Sequence, residues 1–187
     1  MSTYRDAKRV VQSFFEELEQ AGPDTAAGIL EKYTGDDYRW RGSYPFREQE
    51  GGAAAVAEAF WRPLKQALRH MQRRQDIFIA GENEVVGESE VAGEKASEGA
   101  EESEGTWVMS MGHFMGLFDE EWLGIRPTGK MINLRYAEFN CVRNGKIVET
   151  GLFIDLIGFM MQAGLNPLPP STGSYFVYPG PRSHDGL

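Results

Sequence analysis

Large apolar side chains recur every three or four residues over three stretches of the N-terminal part of the chain, with charged residues between them. This spacing predicts amphipathic helices, each with one face against a core. Gly22 and Pro23 end the first helix, and Pro63 is expected to kink the third or begin a new segment there. The predicted helices cover residues 4–20, residues 24 to about 33 with Asp24 as the expected N-cap, and residues 51 to about 71.

The period changes from helical to two in the second half of the chain, where β-branched and aromatic residues alternate with small or polar ones. Asn144-Gly145 is a strong signal for a tight hairpin turn. A short helix over residues 156–163, closed by Gly164, is expected after the last strand. The predicted strands cover residues 37–41, 77–79, 107–118, 130–142 and 146–154. Helices followed by a meandering antiparallel sheet predict an α+β fold.

A length of 187 residues suits a single domain over residues 1–187. Residues 82–106 contain nine glutamates, one lysine and no sizeable apolar side chain except three valines, so we expect a flexible acidic loop. Residues 166–187 are rich in proline and glycine and are expected to form an extension over the surface.

The formal net charge of −9 comes almost wholly from that acidic loop, whose own balance is −8, so the remaining chain has a balance of −1. A near-neutral body offers no electrostatic footprint for nucleic acid or an anionic membrane. The most apolar segment, residues 152–165, is too short to cross a bilayer.

Cys141 is the single cysteine, which excludes an internal disulfide, and no N-terminal segment resembles a signal peptide. Both observations favour a reducing cytoplasm. His70, His113 and His184 are spread over separate predicted elements, so no metal site is expected.

Four sequence motifs follow one another between residues 112 and 164: GHFMGLF, GIRPTGK, CVRNGKIVET and FIDLIGFMMQAG. Their order and spacing resemble the SnoaL-like polyketide cyclases of the nuclear-transport-factor-2-like and ketosteroid-isomerase-like superfamily. The resemblance implies a cone-shaped α+β barrel, in which a curved antiparallel sheet wraps over the N-terminal helices and encloses a ligand pocket. It also implies a homodimer and a cofactor-independent enzyme that closes rings by aldol chemistry.

Asp155 occupies the position of the acid/base aspartate in that family. Its neighbours Phe153, Ile154 and Leu156 are apolar, and apolar surroundings disfavour the charged form of a carboxyl group. Such a group suits the removal of a proton next to a carbonyl. Alternatively, Asp155 is the N-cap of the short helix that follows; the two roles are compatible.

His113 matches a strand histidine that lines the pocket in that family. If the alternation from Trp107 holds, it shares a face with Met109 and Met111, and a methionine-rich face suits an adaptable pocket. The imidazole would donate a hydrogen bond to a carbonyl or enolate oxygen. The alternative is a core histidine with satisfied hydrogen bonds.

Four further residues complete the candidate substrate site, together with Phe153. Trp40, Arg41 and Tyr44 are candidates for the pocket mouth, where arginine would grip a carboxylate, or for an aromatic edge. Glu138 shares a strand face with Tyr136 and Asn140, and the alternation does not say which face is inside. If it faces the pocket, Glu138 would pair with Arg135 across the edge or help orient a substrate; the alternative is a plain surface role.

The preferred hypothesis is an enzyme that acts on a carbonyl-containing, partly apolar small molecule, with Asp155 as general acid/base and His113 as oxyanion donor. The main alternative is a non-catalytic module that binds a small molecule or a partner protein, because the fold does not determine the function. A second alternative is an epoxide-opening hydrolase, which needs further polar residues beside Asp155.

Overall fold

The structure is a computed structural model, which describes residues 3–83 and 105–169. Helices α1 (Thr3–Gln20) and α2 (Ala26–Tyr33) occur where the apolar spacing predicts them. The residue before α2 is Thr25, and its side chain does not cap the helix. Asp24, the expected N-cap, instead pairs with Arg62 at 2.7 Å.

The third predicted helix is interrupted and shorter than expected. It consists of α3 (Gly52–Val56), a π-helical turn (Ala57–Trp61) and α4 (Arg62–Ala67). Pro63 stands in the first turn of α4, where a residue without an N–H group breaks the regular α-helical hydrogen bonding. The chain then passes directly into a strand instead of continuing as helix to Met71.

Within the described ranges, six strands form one curved, open sheet in the order β2-β1-β6-β5-β4-β3. The strands are β1 (Thr34–Gly42), β2 (Glu48–Gln49), β3 (Leu68–Gly81), β4 (Thr106–Phe118), β5 (Met131–Arg143) and β6 (Lys146–Ile154). Neighbouring strands pair antiparallel except β1 and β6, which are parallel, so the sheet is mixed. Strand β3 was expected only at residues 77–79 and is much longer. The α+β prediction is confirmed, although the strands of residues 3–83 and 105–169 do not close into the expected barrel.

Strand β3 is irregular at the open edge of the sheet. Its register against β4 shifts between Arg69 and Gln72 and again between Gln75 and Ile77. Gly112 on β4 lets β3 approach closely, since a Cβ at this position would collide with the carbonyl oxygen of Arg74 on β3. Bulges of this kind bend a strand and increase the local twist.

The inner face of the sheet packs against the helices. Burial alternates strictly along β4. Val108, Ser110 and Phe114 are fully buried on the inner face, whereas Met109, Met111 and His113 are partly exposed on the outer face. Helix α5 (Leu156–Gln162) follows β6, and Phe159 anchors it in the core. Gly164 has a φ of 85°, as expected after a helix end.

None of the helices in residues 3–83 and 105–169 is long and apolar enough to cross a bilayer. The predicted acidic loop and the predicted C-terminal extension fall mostly outside the described residues, as does His184.

Candidate active site

A buried ion pair lies on the inner face of the sheet. Arg73 on β3 and Glu138 on β5 join through Nη1 and Oε2 at 2.7 Å, and their side chains are only 5% and 1% exposed. The desolvation of two charges commonly cancels most of the attraction between them, so a buried pair is weak evidence of a purely stabilising role. This pair marks the inner face as a candidate site.

Glu138 belongs to a chain of buried hydrogen bonds across three strands. Asn140 donates from Nδ2 to Glu138 Oε1 at 3.2 Å and accepts from the Thr150 hydroxyl at 2.7 Å. Tyr38 is hydrogen-bonded to Thr150, and burial raises the pKa of Tyr38 well above its usual range. These groups fix the orientation of the Glu138 carboxylate.

Aromatic rings enclose the other side of the pair. The Arg73 guanidinium carbon lies 3.6 Å from the ring centroid of Phe15, 4.7 Å from that of Phe114, 4.8 Å from that of Tyr136 and 5.8 Å from that of Trp61. Such ring faces attract a cation. Burial alone would lower the pKa of Arg73, but the adjacent Glu138 and Tyr136 outweigh burial and raise it.

The Tyr136 hydroxyl forms a 2.8 Å hydrogen bond with Ser110. Burial raises the pKa of Tyr136, although Arg73 and Ser110 act in the opposite direction. Tyr136 therefore stays a neutral phenol at physiological pH and keeps its proton available as a hydrogen-bond donor.

A small cavity of about 10 Å³ adjoins Arg73. Its lining residues are Phe15, Leu18, Glu19, Trp61, Met71, Arg73 and Phe114. Glu19 and Met71 also line a surface cleft of about 670 Å³ between the C-terminal end of α1, α4 and the start of β3. The cleft has the size of a small-molecule site, and the two lining residues that it shares with the cavity place it next to Arg73.

Lys65 lines that cleft and is itself buried. Its Nζ donates to the carbonyl oxygens of Ala21 at 2.9 Å and Glu19 at 3.4 Å, at the end of α1. Burial lowers the pKa of Lys65 to about 8.

Asp155 follows β6 and begins α5. The amide of Gly158 donates to Asp155 Oδ1 at 2.8 Å, so the side chain caps the helix as the alternative interpretation expects. Within the described residues no hydrogen bond to Oδ2 is formed, and the side chain is partly exposed. The backbone N–H of Asp155 donates to the carbonyl oxygen of Arg135, which extends the sheet by one residue.

The structure does not place His113, Met109 and Met111 in an enclosed pocket, where the sequence led us to expect them. They lie on the outer face of β4, which is turned away from the helices. The buried Asp76 carboxylate contacts His113 Nδ1 at 3.3 Å. Phe153 is also on the outer face and is 57% exposed. The inner face instead presents Val108, Ser110 and Phe114.

The three residues expected at a pocket mouth are separated as well. Trp40 is fully buried and packs against Phe46 and Phe60. Arg41 is exposed and pairs with Glu149 at 3.2 Å. Tyr44 is 74% exposed in the loop after β1. Of the expected substrate-binding residues, Glu138 contributes a polar group to the inner face.

Several residues of the inner site were not expected from the sequence. Arg73 gave no signal, because it stands in a run of polar residues without a clear period. Alternation along β5 places Tyr136 and Asn140 on the same strand face as Glu138. This shared face could have indicated that they belong to the same site. Within the described ranges, no group of three histidine, cysteine, aspartate or glutamate residues is close enough to hold a metal ion.

Comparison with known proteins agrees with this architecture. The sequence model of the family described as SnoaL-like polyketide cyclase matches residues 98–163. A candidate SnoaL-like polyketide cyclase from Jannaschia sp. CCS1 aligns with a TM-score of 0.58 at 16% identity, covering 90% of this chain and 97% of that one. A candidate polyketide cyclase from Xanthomonas campestris pv. campestris gives a TM-score of 0.60 at 18% identity, covering 87% and 99%.

The candidate polyketide cyclase IdmH from Streptomyces antibioticus aligns with a TM-score of 0.57 at 15% identity, covering 82% of this chain and 98% of that one. No functionally curated protein matches the chain in sequence. At these identities the structural likeness establishes the fold alone. The similarity in sequence to the family is limited to residues 98–163. The resemblance drawn from the four motifs is thus confirmed: the chain has the fold of the SnoaL-like polyketide cyclases, and residues 98–163 match that family in sequence.

Proposed function

We propose that this protein is a cofactor-independent enzyme that acts on a carbonyl-containing, partly apolar small molecule by an aldol-type cyclisation, an isomerisation or a lyase step. The observation that carries the proposal is the buried Arg73–Glu138 pair, which aromatic rings enclose on one side, beside a cavity and a cleft. Ligand sites typically combine apolar walls with a few well-placed polar groups.

Asp155 is the proposed general acid/base because of its position in the family resemblance; it is not among the residues that line the cavity or the cleft. Both Glu138 oxygens are held, one by Arg73 and the other by Asn140, whereas Asp155 has one oxygen held by Gly158. Asp155 Oδ2 would take a proton from the carbon next to the carbonyl, and the bonding electrons would move to the carbonyl oxygen as an enolate. In a cyclisation, the enolate carbon would then attack a second carbonyl of the same molecule, and Asp155 would return the proton to the resulting alkoxide.

The test is the exchange of α-protons of simple ketones, such as 1-tetralone, for deuterium in D2O, followed by proton NMR. We expect the wild type to accelerate exchange and Asp155→Asn to reduce the acceleration by about 10²–10⁴-fold. Asp37→Asn, at an exposed position on β1, is the matched control and should retain the wild-type rate. An unchanged rate in Asp155→Asn would eliminate Asp155 as the base.

Independence of a cofactor is tested with the same assay after exhaustive dialysis against EDTA. The proposal predicts an unchanged exchange rate. If the wild type binds ketones and accelerates no exchange at all, the non-catalytic binding module becomes the better account.

We further propose a homodimer in a reducing cytoplasm. The outer sheet face supports the dimer, because it exposes Ile79, Phe153 and Met131 by 55%, 57% and 60%, and apolar patches on a surface commonly mark protein interfaces. Size-exclusion chromatography with light scattering should give twice the 21.0 kDa chain mass. Ile79→Lys should shift the protein towards the monomer, and a wild-type monomer at high concentration would refute the dimer.

A further inference from the structure

The Arg73 guanidinium has one unused donor group in the interior. Nη1 donates to Glu138, but Nη2 is buried and forms no hydrogen bond of acceptable geometry with any described residue. The Tyr136 hydroxyl lies near the guanidinium and helps to raise the pKa of Arg73, but the N–H groups of Nη2 do not meet it in hydrogen-bonding geometry. Leaving a charged donor buried without an acceptor is costly, so Nη2 is a group prepared for an oxygen atom that the protein does not provide.

The surroundings of Arg73 restrict how a ligand reaches it. Phe15, Phe114 and Tyr136 lie close to the guanidinium, and ring faces attract the cation without accepting a conventional hydrogen bond from it. The adjoining cavity of about 10 Å³ has room for roughly one water-sized group. Such a space fits a single ligand oxygen, with the rest of the ligand extending towards the cleft.

The charges around the cavity select the kind of oxygen. Glu138 already balances the charge of Arg73, and the Glu19 carboxylate lines the same cavity and accepts from the Arg73 backbone N–H at 2.6 Å. Lys65 lines the adjoining cleft and interacts with both Glu19 and Arg73, so the four groups balance when all are charged. A ligand carboxylate would add an uncompensated negative charge in a region of low dielectric constant, which is unfavourable. A neutral carbonyl oxygen accepts the hydrogen bond without that cost.

We propose that Arg73 Nη2 binds the carbonyl oxygen of a neutral aromatic or alicyclic ketone or aldehyde, which enters through the cleft between α1, α4 and β3. This inference rests on the proposed function, and it adds the substrate-binding residue and the charge class of the substrate. As the adjacent proton is removed, the carbonyl oxygen gains negative charge, and the hydrogen bond from Arg73 becomes stronger in the transition state than in the ground state.

The probes are three bicyclic compounds of similar size: 1-tetralone, 1-naphthoate and 1-methylnaphthalene. Binding is followed by quenching of tryptophan fluorescence, since Trp61 lines the cavity, and confirmed by saturation-transfer NMR. We expect the ketone to bind at least tenfold more tightly than the carboxylate or the hydrocarbon. Equal or tighter binding of the carboxylate would overturn the proposal.

Arg73→Lys keeps the charge opposite Glu138 but loses the planar group that reaches two acceptors at once. It should weaken binding of 1-tetralone by about 10- to 100-fold and leave 1-methylnaphthalene binding unchanged. Arg74→Lys is the matched control, because Arg74 is the next residue and its half-exposed side chain pairs with Asp76. An equal loss in both variants, or no loss in Arg73→Lys, would contradict the assignment.

A measurement on the wild type does not depend on how well the variants fold. In protein labelled with ¹⁵N-arginine, the Arg73 side-chain N–H signals should shift on addition of 1-tetralone, while those of Arg74 should not. Unmoved Arg73 signals at saturating ketone would refute the inference. Ketone binding at Arg73 without α-proton exchange would refute only the proposed function, whereas exchange that survives Arg73→Lys unchanged would refute only this inference.

Discussion

Glu138→Gln removes the negative charge from the buried pair and leaves the Arg73 guanidinium in the interior without its counter-charge. The two side chains are 1% and 5% exposed, so solvent compensates very little. Removal of one partner of such a pair typically costs about 3–5 kcal/mol. Because the glutamine oxygen can still accept from Arg73, we expect the lower end of that range, about 3 kcal/mol.

For a chain of this length, a loss of about 3 kcal/mol lowers the melting temperature by roughly 6–12 °C. Urea unfolding followed by tryptophan fluorescence gives the free energy of unfolding. Glu149→Gln is the matched control, because its partner Arg41 is about half exposed, and exposed pairs contribute only about 0–1 kcal/mol. A loss below about 1 kcal/mol in Glu138→Gln would contradict the burial of the charge pair.

The double variant Arg73→Met with Glu138→Leu extends this test. Apolar replacement of a buried pair is often neutral or stabilising, although Asn140 Nδ2 then loses its acceptor, at about 1–3 kcal/mol. We therefore expect the double variant to be more stable than either single variant and to bind 1-tetralone poorly. Strictly additive losses of stability would contradict the coupling between the two side chains.

Three further predictions concern single side chains. Burial lowers the pKa of Lys65 to about 8, against 10.5 for an exposed lysine. From pH 8 to 9.5 the Lys65 amine is therefore protonated to a larger extent in the unfolded chain than in the folded one. The free energy of unfolding of the wild type should rise with pH relative to that of Lys65→Met, by at most about 1.4 kcal/mol per pH unit. Parallel plots of the two free energies against pH would contradict this. Burial raises the pKa of the Cys141 thiol, so iodoacetamide should modify the native protein far more slowly than the urea-unfolded protein, and equal rates would show that the thiol is accessible. Asp155→Ala should lower stability by about 0.5–2 kcal/mol through loss of the cap on Gly158, whereas Asp155→Asn should cost little; an equal loss in both variants would argue against the capping role.

The sequence predicted most of the elements, because their apolar periods are regular. Strand β6 and helix α1 fall within a residue of their predicted ends. Strand β3 was predicted only at residues 77–79, since residues 69–76 are almost all polar. Those residues lie at the open edge of the sheet, where His70, Gln72 and Arg74 are exposed and Arg73 points inwards to Glu138. An edge strand with a buried charge has no clean alternation of apolar and polar positions.

The candidate site was harder to predict than the fold. Alternation along β4 separates two faces, but Met109 and Met111 make the outer face as apolar in sequence as the inner one, so the pattern does not say which face is enclosed. The Arg73–Glu138 pair joins positions 65 residues apart. No local spacing reveals a pair at that separation; the folded sheet brings the two side chains together.

The central claim is that the protein abstracts a proton next to a carbonyl, and the most direct measurement is the α-proton exchange rate of 1-tetralone in D2O with and without wild-type enzyme. The account predicts exchange well above the buffer rate, saturating with ketone concentration and strongly reduced in Asp155→Asn. Exchange at the buffer rate, at a ketone concentration that saturates binding to the protein, would contradict it.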